Sequence, residues 1–192
     1  ELQKMLNLPV DENIPMVAMI TRLVSHKGID IVRGAFENMM NEPIQMVILG
    51  TGDVSYEGYF KDMEYRHNNK LRAIIAFNQD LSRKIYASSD IFLMPSIAEP
   101  CGLSQMIASR YGTVPIVREV GGLKDSITDF GCENGGNGYT FTHYNANDLL
   151  YLINRSIDDF KDKDGWKKKM ETCMQVDFTW ANSAKKYIDL YK

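Results

Sequence analysis

MVAMITRLVSHKGIDIVRGAFENMMNEPIQMVILGTGD, residues 16–53, holds two short apolar runs separated by a segment of helical period. The runs Met16–Ile20 and Ile44–Leu49 carry almost no polar side chains, which is how strands buried on both faces read. Between them Ile29, Val32, Phe36 and the Met39/Met40 pair recur every three to four residues, so they lie along one face of a helix. Strand, helix and strand in this order make a parallel unit with a right-handed crossover.

The same alternation continues outward. Further strand-like runs fall at Leu71–Ala76, Ile91–Met94, Val114–Val117 and Tyr139–Phe141. Helical spacing joins Tyr56, Tyr59/Phe60 and Met63, then Leu81, Ile85 and Ala87/Ser88, then Leu103 to Ala108. The expected fold is α/β: a doubly wound, mostly parallel, six-stranded Rossmann-like sheet with helices on both faces, in a single domain over residues 1–192. After residue 142 three closing helices are expected within about 147–192, at Asn147–Phe160, Asp164–Met174 and Trp180–Tyr191. Asn145 or Asn147 suits the first as N-cap. Gly131–Gly138 is the one linker-like stretch, and the first 15 residues read as a polar lead-in.

Composition bounds the function. Of 192 residues, 44% are hydrophobic and 24% charged, which excludes disorder and supplies a core. Twenty-two basic residues against 25 acidic ones give a net charge of -3, the wrong sign for a protein living on nucleic-acid backbones, so no nucleic-acid partner is expected. No apolar run approaches the roughly 18–20 residues of a membrane span, and no membrane partner is expected. Cys101, Cys132 and Cys173 are odd in number and far apart, which fits a reducing cytosol and a cytoplasmic protein rather than a disulfide framework or a zinc site. The first 15 residues lack the basic start and apolar core expected of a secretory signal. Because the chain starts without Met, in a polar segment leading straight into a strand-like run, a portion of a longer protein is expected.

Residues that a core does not need gather in five clusters, each just beyond the carboxyl end of a strand run. They are Thr21-Arg22-Leu23 with His26-Lys27-Gly28; Gly50-Thr51-Gly52-Asp53; Phe77; Pro95-Ser96 with Glu99-Pro100-Cys101-Gly102-Leu103; and Arg118 with Gly121-Gly122-Leu123. Five such clusters share one sheet edge, the edge at which open α/β sheets bind ligands. Arg22 and Lys27 flank a turn before a helix start and suit a phosphate, Arg as a fork and Lys as a mobile point charge, although two solvated surface cations would read the same way. Gly50-Thr51-Gly52-Asp53 is a lone G-x-G that a plain strand-to-helix turn also explains. With no Walker loop and no complete G-x-G-x-x-G, P-loop and dehydrogenase readings lose support.

Glu99-Pro100-Cys101-Gly102-Leu103 is the most informative segment. It sets a carboxylate beside a helix start with exposed backbone amides, sensible if Glu99 grips neutral sugar hydroxyls while cations and amides take phosphates. Glu99 as a plain helix cap is the alternative. Cys101 is read as a small buried thiol, and the methionines as core filler. His26, His67 and His143 are read as scattered surface residues, and Lys167-Lys168-Lys169 as the wet face of a helix.

With these residues in view, the chain resembles the carboxy-terminal domain of bacterial glycogen synthases and plant starch synthases, retaining glucosyltransferases of the GT-B fold. The motifs that carry the resemblance are Thr21-Arg22-Leu23 with Lys27-Gly28, Gly50-Thr51-Gly52-Asp53, Met94-Pro95-Ser96 with Glu99 to Gln105, Tyr111-Gly112-Thr113-Val114-Pro115, and Gly121 to Asp125. The resemblance implies a donor-binding half that uses ADP-glucose as substrate. The whole enzyme would extend the non-reducing end of an α-1,4-glucan, bound through an amino-terminal domain that this chain does not include. It implies catalytic roles for Arg22, Lys27 and Glu99. Arg22 and Lys27 would hold the donor's diphosphate. Glu99 and the amides of Cys101, Gly102 and Leu103 would hold the transferred glucose, with Ser104 near the phosphates. Gly50, Thr51, Gly52, Asp53 and Phe77 would contact the donor, Phe77 standing where the family has an adenine-stacking tyrosine. No metal and no cofactor are implied, and the isolated chain is expected to be inactive. Two departures stand out: Ile107 occupies the position of a ribose-gripping acid found in related enzymes, and His26 replaces a commoner glutamine. A UDP-glucose transferase of the same fold, or a non-catalytic nucleotide- or glucan-binding module, are the alternatives.

Overall fold

The structure, a computed structural model, describes residues 1–133 and 135–191. Six parallel strands, β1 (Met16–Ile20), β2 (Gln45–Leu49), β3 (Leu71–Ile74), β4 (Ile91–Met94), β5 (Val114–Arg118) and β6 (Tyr139–Phe141), form one sheet in the order β3-β2-β1-β4-β5-β6. That is the doubly wound order, with its reversal between β1 and β4. The connecting helices are α2 (Ile29–Asn41), α3 (Val54–Arg66), α4 (Gln79–Ser88), α5 (Ser104–Arg110) and α6 (Gly121–Ser126), and α7 (Ala146–Lys161), α8 (Lys163–Gln175) and α9 (Trp180–Leu190) close the chain.

Strand alternation builds two cores. Val17, Met19, Met46, Ile48, Ile91 and Leu93 face α2, α3 and α7, while Met16, Ala18, Val47, Leu49 and Phe92 face α4 and α5. The expected strands agree with those observed to within two residues at each end. Asn145 caps α7, its side chain accepting the Asp148 N–H at 2.8 Å.

Four differences from the sequence reading are local. The polar lead-in contains a helical turn, α1 (Leu2–Met5), whose Leu2 joins Leu8 in the second core, and Arg72 ties down the turn's end through the Leu6 carbonyl at 2.5 Å. Too short to show a period, it is held by tertiary contacts. Gly121–Ser126 is a helix, six residues long, that two leading glycines hide from propensity. The linker-like stretch, of which residue 134 lies outside the described residues, is tied back to the body: buried Asn137 bonds Thr128 and Ser126, and its carbonyl accepts from Cys173. Lys169 leaves the wet face of its helix, pairing with Asp159 at 3.4 Å and lying over the Phe130 ring at 4.2 Å. Among the described residues no helix is long and apolar enough to cross a membrane.

Candidate donor site

All five clusters meet at the carboxyl edge of the sheet. Beyond β1 and β2 the two chains run on as a pair: Leu23 N–H donates to Thr51 O at 2.9 Å and Asp53 N–H to Leu23 O at 2.8 Å. A side chain at Gly50 or Gly52 would strike the carbonyls of Thr21 or Leu23, so glycine is what lets the strands stay paired here. Where the pair parts from β3 a cleft of about 210 Å³ opens, lined by Arg22, Gly50, Thr51, Ala76, Phe77 and Asn78. Phe77 stands at its lip, 86% exposed, a flat apolar face with no ring stacked on it among the described residues. Asp53 precedes α3 and is exposed, and its side chain caps nothing; the Gly52 N–H instead donates to Glu57 at 2.8 Å, a contact the sequence reading missed.

Across the switch point the loop after β4 folds over the loop after β1. Gly28, at φ 77°, turns the chain into α2 beneath Pro95, whose carbonyl occupies the space a Cβ would need. Ile97 N–H donates to His26 O at 2.9 Å, and Arg118 reaches from β5 to Ile97 O at 3.0 Å and to Ser96 O at 3.4 Å. This stitching brings Lys27 and Glu99, 72 positions apart in sequence, to 2.6 Å. Their side chains are only 16% and 11% accessible, and the buried Ser96 hydroxyl donates to the same carboxylate oxygen at 3.2 Å. Arg22 stands apart, its guanidinium 3.3 Å from His26 Nε2.

Two alternative readings fall away here and one reading changes. Lys27 is not a solvated cation but half of a shielded ion pair. Glu99 is not a helix cap, since its carboxylate goes to Lys27 and Ser96, and the residue preceding α5, Leu103, makes no side-chain cap bond. Cys101 is exposed rather than buried: its backbone carbonyl lies against Gly122, which turns the thiol outward. Gly102 (φ 74°) is buried, Leu103 is exposed, and Ser104 bonds the Tyr86 phenol, whose pKa burial raises and that bond draws partly back. The sequence gives no signal for Ser96 as a partner of Glu99, because a serine after a strand is unremarkable until its burial is known. Among the described residues no group of three His, Cys, Asp or Glu side chains is placed to hold a metal ion.

The arrangement can do one thing well. An aromatic face, a cleft, an arginine beside a histidine, and a lysine paired with a carboxylate follow one another along a single edge, so that cations stand between a flat apolar face and an acid.

Comparison with known proteins agrees with that geometry. The family model described as "Glycosyl transferases group 1" matches residues 3–172. A glycogen synthase of Clostridium acetobutylicum is 51% identical over the whole chain, and one of Bacillus cereus is 46% identical. The chain spans 40% of the length of these relatives. Among solved structures, the catalytic domain of starch synthase IV from Arabidopsis thaliana, bound to ADP and acarbose, superposes with a TM-score of 0.90 at 36% identity, over 99% of this chain and 40% of that one.

Proposed function

The chain belongs to the group 1 glycosyl transferases and has the fold of the carboxy-terminal GT-B domain, and from that premise we propose that it is the donor-binding half of a glycogen synthase. The whole enzyme transfers glucose from ADP-glucose to the non-reducing end of an α-1,4-glucan with retention. The chain forms one nucleotide-sugar-binding domain, and the acceptor groove belongs to the part of the enzyme outside it. The observation that carries the reading is the Lys27–Glu99 pair between the Arg22 cleft and the amides of Gly102 and Leu103. In this reading adenine stacks on Phe77, Arg22 and Lys27 take the diphosphate, and Glu99 holds glucose hydroxyls. Gly50, Thr51, Gly52 and Asp53 border the nucleoside, and Ser104 lies near the phosphates.

The chemistry follows from charge. As the glycosidic bond breaks, negative charge grows on the departing ADP, and a cation about 4 Å away at an effective dielectric near 20 is worth about 4 kcal/mol. Arg22 offers this charge, and Lys27, held in place by Glu99, adds the part that its carboxylate partner does not cancel. Glu99, the carboxylate this reading sets at the glucose, is paired with Lys27 at 2.6 Å rather than held free as a nucleophile, so the reading takes front-face attack assisted by a leaving-phosphate oxygen. The bound ligands named for the starch synthase structure, ADP and acarbose, support the nucleotide and glucan assignments.

Calorimetry on the chain tests the reading: ADP and ADP-glucose should bind, each more tightly than UDP. Labelled glucose should not enter glycogen without the rest of the enzyme. Equal or tighter binding of UDP would shift the assignment to a UDP-glucose transferase.

A further inference from the structure

Gln105, the second residue of α5, is fully buried, which is unusual for a neutral polar side chain outside an interface. Its Nε2 faces three oxygens: Gly102 O at 2.9 Å, Cys101 O at 3.3 Å and Ser126 Oγ at 3.0 Å. Ser126 in turn donates to Gly122 O at 2.6 Å, and Gly122 N–H donates to Glu99 O at 3.0 Å. One amide thus joins the loop after β4 to α6 and closes a ring of contacts around the Glu99 backbone. Its own Oε1 is buried with no partner, so the side chain is held by what it donates.

The two carbonyls it holds belong to the peptide units Cys101–Gly102 and Gly102–Leu103. Across a trans peptide the C=O and N–H point in opposite directions. Pulling both carbonyls inward therefore turns the N–H groups of Gly102 and Leu103 away from Gln105. Neither N–H has an acceptor among the described residues, although Gly102 is buried. An N–H with no acceptor inside the fold is left to donate to whatever occupies the edge it faces.

We propose that Gln105 is a positioning residue of the donor site: by holding the carbonyls of Cys101 and Gly102 from inside the fold, it sets the direction of the Gly102 and Leu103 amides that grip the transferred sugar. The assignment rests on the donor-site reading above. Gln105 itself touches no substrate and acts only through the two peptide planes.

The test compares ADP with ADP-glucose binding to the chain by calorimetry, with folding followed by thermal melting. In the unchanged chain ADP-glucose should bind more tightly than ADP, and Glu99→Gln should lower that preference. Gln105→Met keeps the volume and removes the donor. The preference for ADP-glucose over ADP should fall about tenfold, the loss of roughly one well-aligned hydrogen bond, while ADP affinity stays close to that of the unchanged chain. Gln105→Glu should show the same loss near neutral pH and recover part of it in acid, where the protonated carboxyl again has one donor for the carbonyls. An unchanged preference in a folded Gln105→Met chain, with Glu99→Gln still effective, overturns the role of Gln105 and leaves the donor-site reading standing. Failure of the unchanged chain to bind either ligand overturns both. Loss of a cooperative melt in both Gln105 variants makes it a folding residue and also overturns the assignment.

Discussion

Lys27 and Glu99 neutralise each other at 2.6 Å in a setting mostly shielded from water, so each variant is felt through its partner. Glu99→Gln keeps the shape and removes the negative charge, which leaves the full Lys27 charge for a diphosphate. ADP binding should hold or strengthen by a few fold, while the added affinity that glucose gives ADP-glucose falls. Parallel losses for both ligands would make Glu99 a structural residue. Arg22→Ala and Lys27→Ala should each weaken ADP by about 1–3 kcal/mol and leave adenosine nearly untouched, because only the phosphate contact goes. Lys27→Ala should be the worse of the two, since it strands a shielded carboxylate. Adding Glu99→Gln to Lys27→Ala should recover part of the loss, a coupling that a double-mutant cycle reads directly.

At the scale of elements, α2 is the strut beneath the site. Gly28 and Lys27 stand at its amino end, and Phe36 anchors its middle, fully buried with ring contacts to Tyr59 and Phe60 at 5.8 and 6.1 Å. Phe36→Ala removes that anchor and leaves a cavity, so the chain should lose about 3–5 kcal/mol in urea unfolding. The folded fraction should keep its ADP affinity, because the ring lies on the face of the sheet away from the cleft's lining. A smaller loss would mean that the neighbouring rings collapse into the gap. The helix itself was legible in sequence, since an apolar residue every three or four positions needs no partner to be seen. α1 and α6 were not: four and six residues are too few for a period, and contacts with the body hold them.

For the molecule as a whole, Asp90 sets a pH dependence. It sits at the amino edge of the sheet, opposite the donor site, and accepts the Met16 N–H at 2.7 Å. Desolvation pushes its pKa up to about 6, against the backbone bond from Met16 and the charge of Lys163, which both lower it. The folded chain therefore holds this proton more tightly than the unfolded one, and stability from this group rises as pH falls from about 7 to about 4. Asp90→Asn should stabilise the chain by about 1–3 kcal/mol near pH 7 and change little near pH 4, a difference that melts at the two pH values resolve. Equal effects at both would mean that the carboxylate stays charged throughout.

The fold was readable from the sequence because strand and helix periods are local properties, and the strand–helix alternation admits few topologies. The sequence also determined which residues gather at one edge: every strand runs the same way, so whatever follows a strand lands on the carboxyl side. What those residues do to one another was decided only in three dimensions. The Lys27–Glu99 pair spans 72 positions, and the Gln105–Ser126 contact spans 21. Neither leaves a periodic trace, because an ion pair or a buried amide asks only that two loops end at the same point. Cys101 was misjudged for the same reason: whether a loop side chain turns in or out depends on the backbone packed behind it, here Gly122. Periodicity reports burial along an element, whereas contact between loops is a property of the assembled sheet.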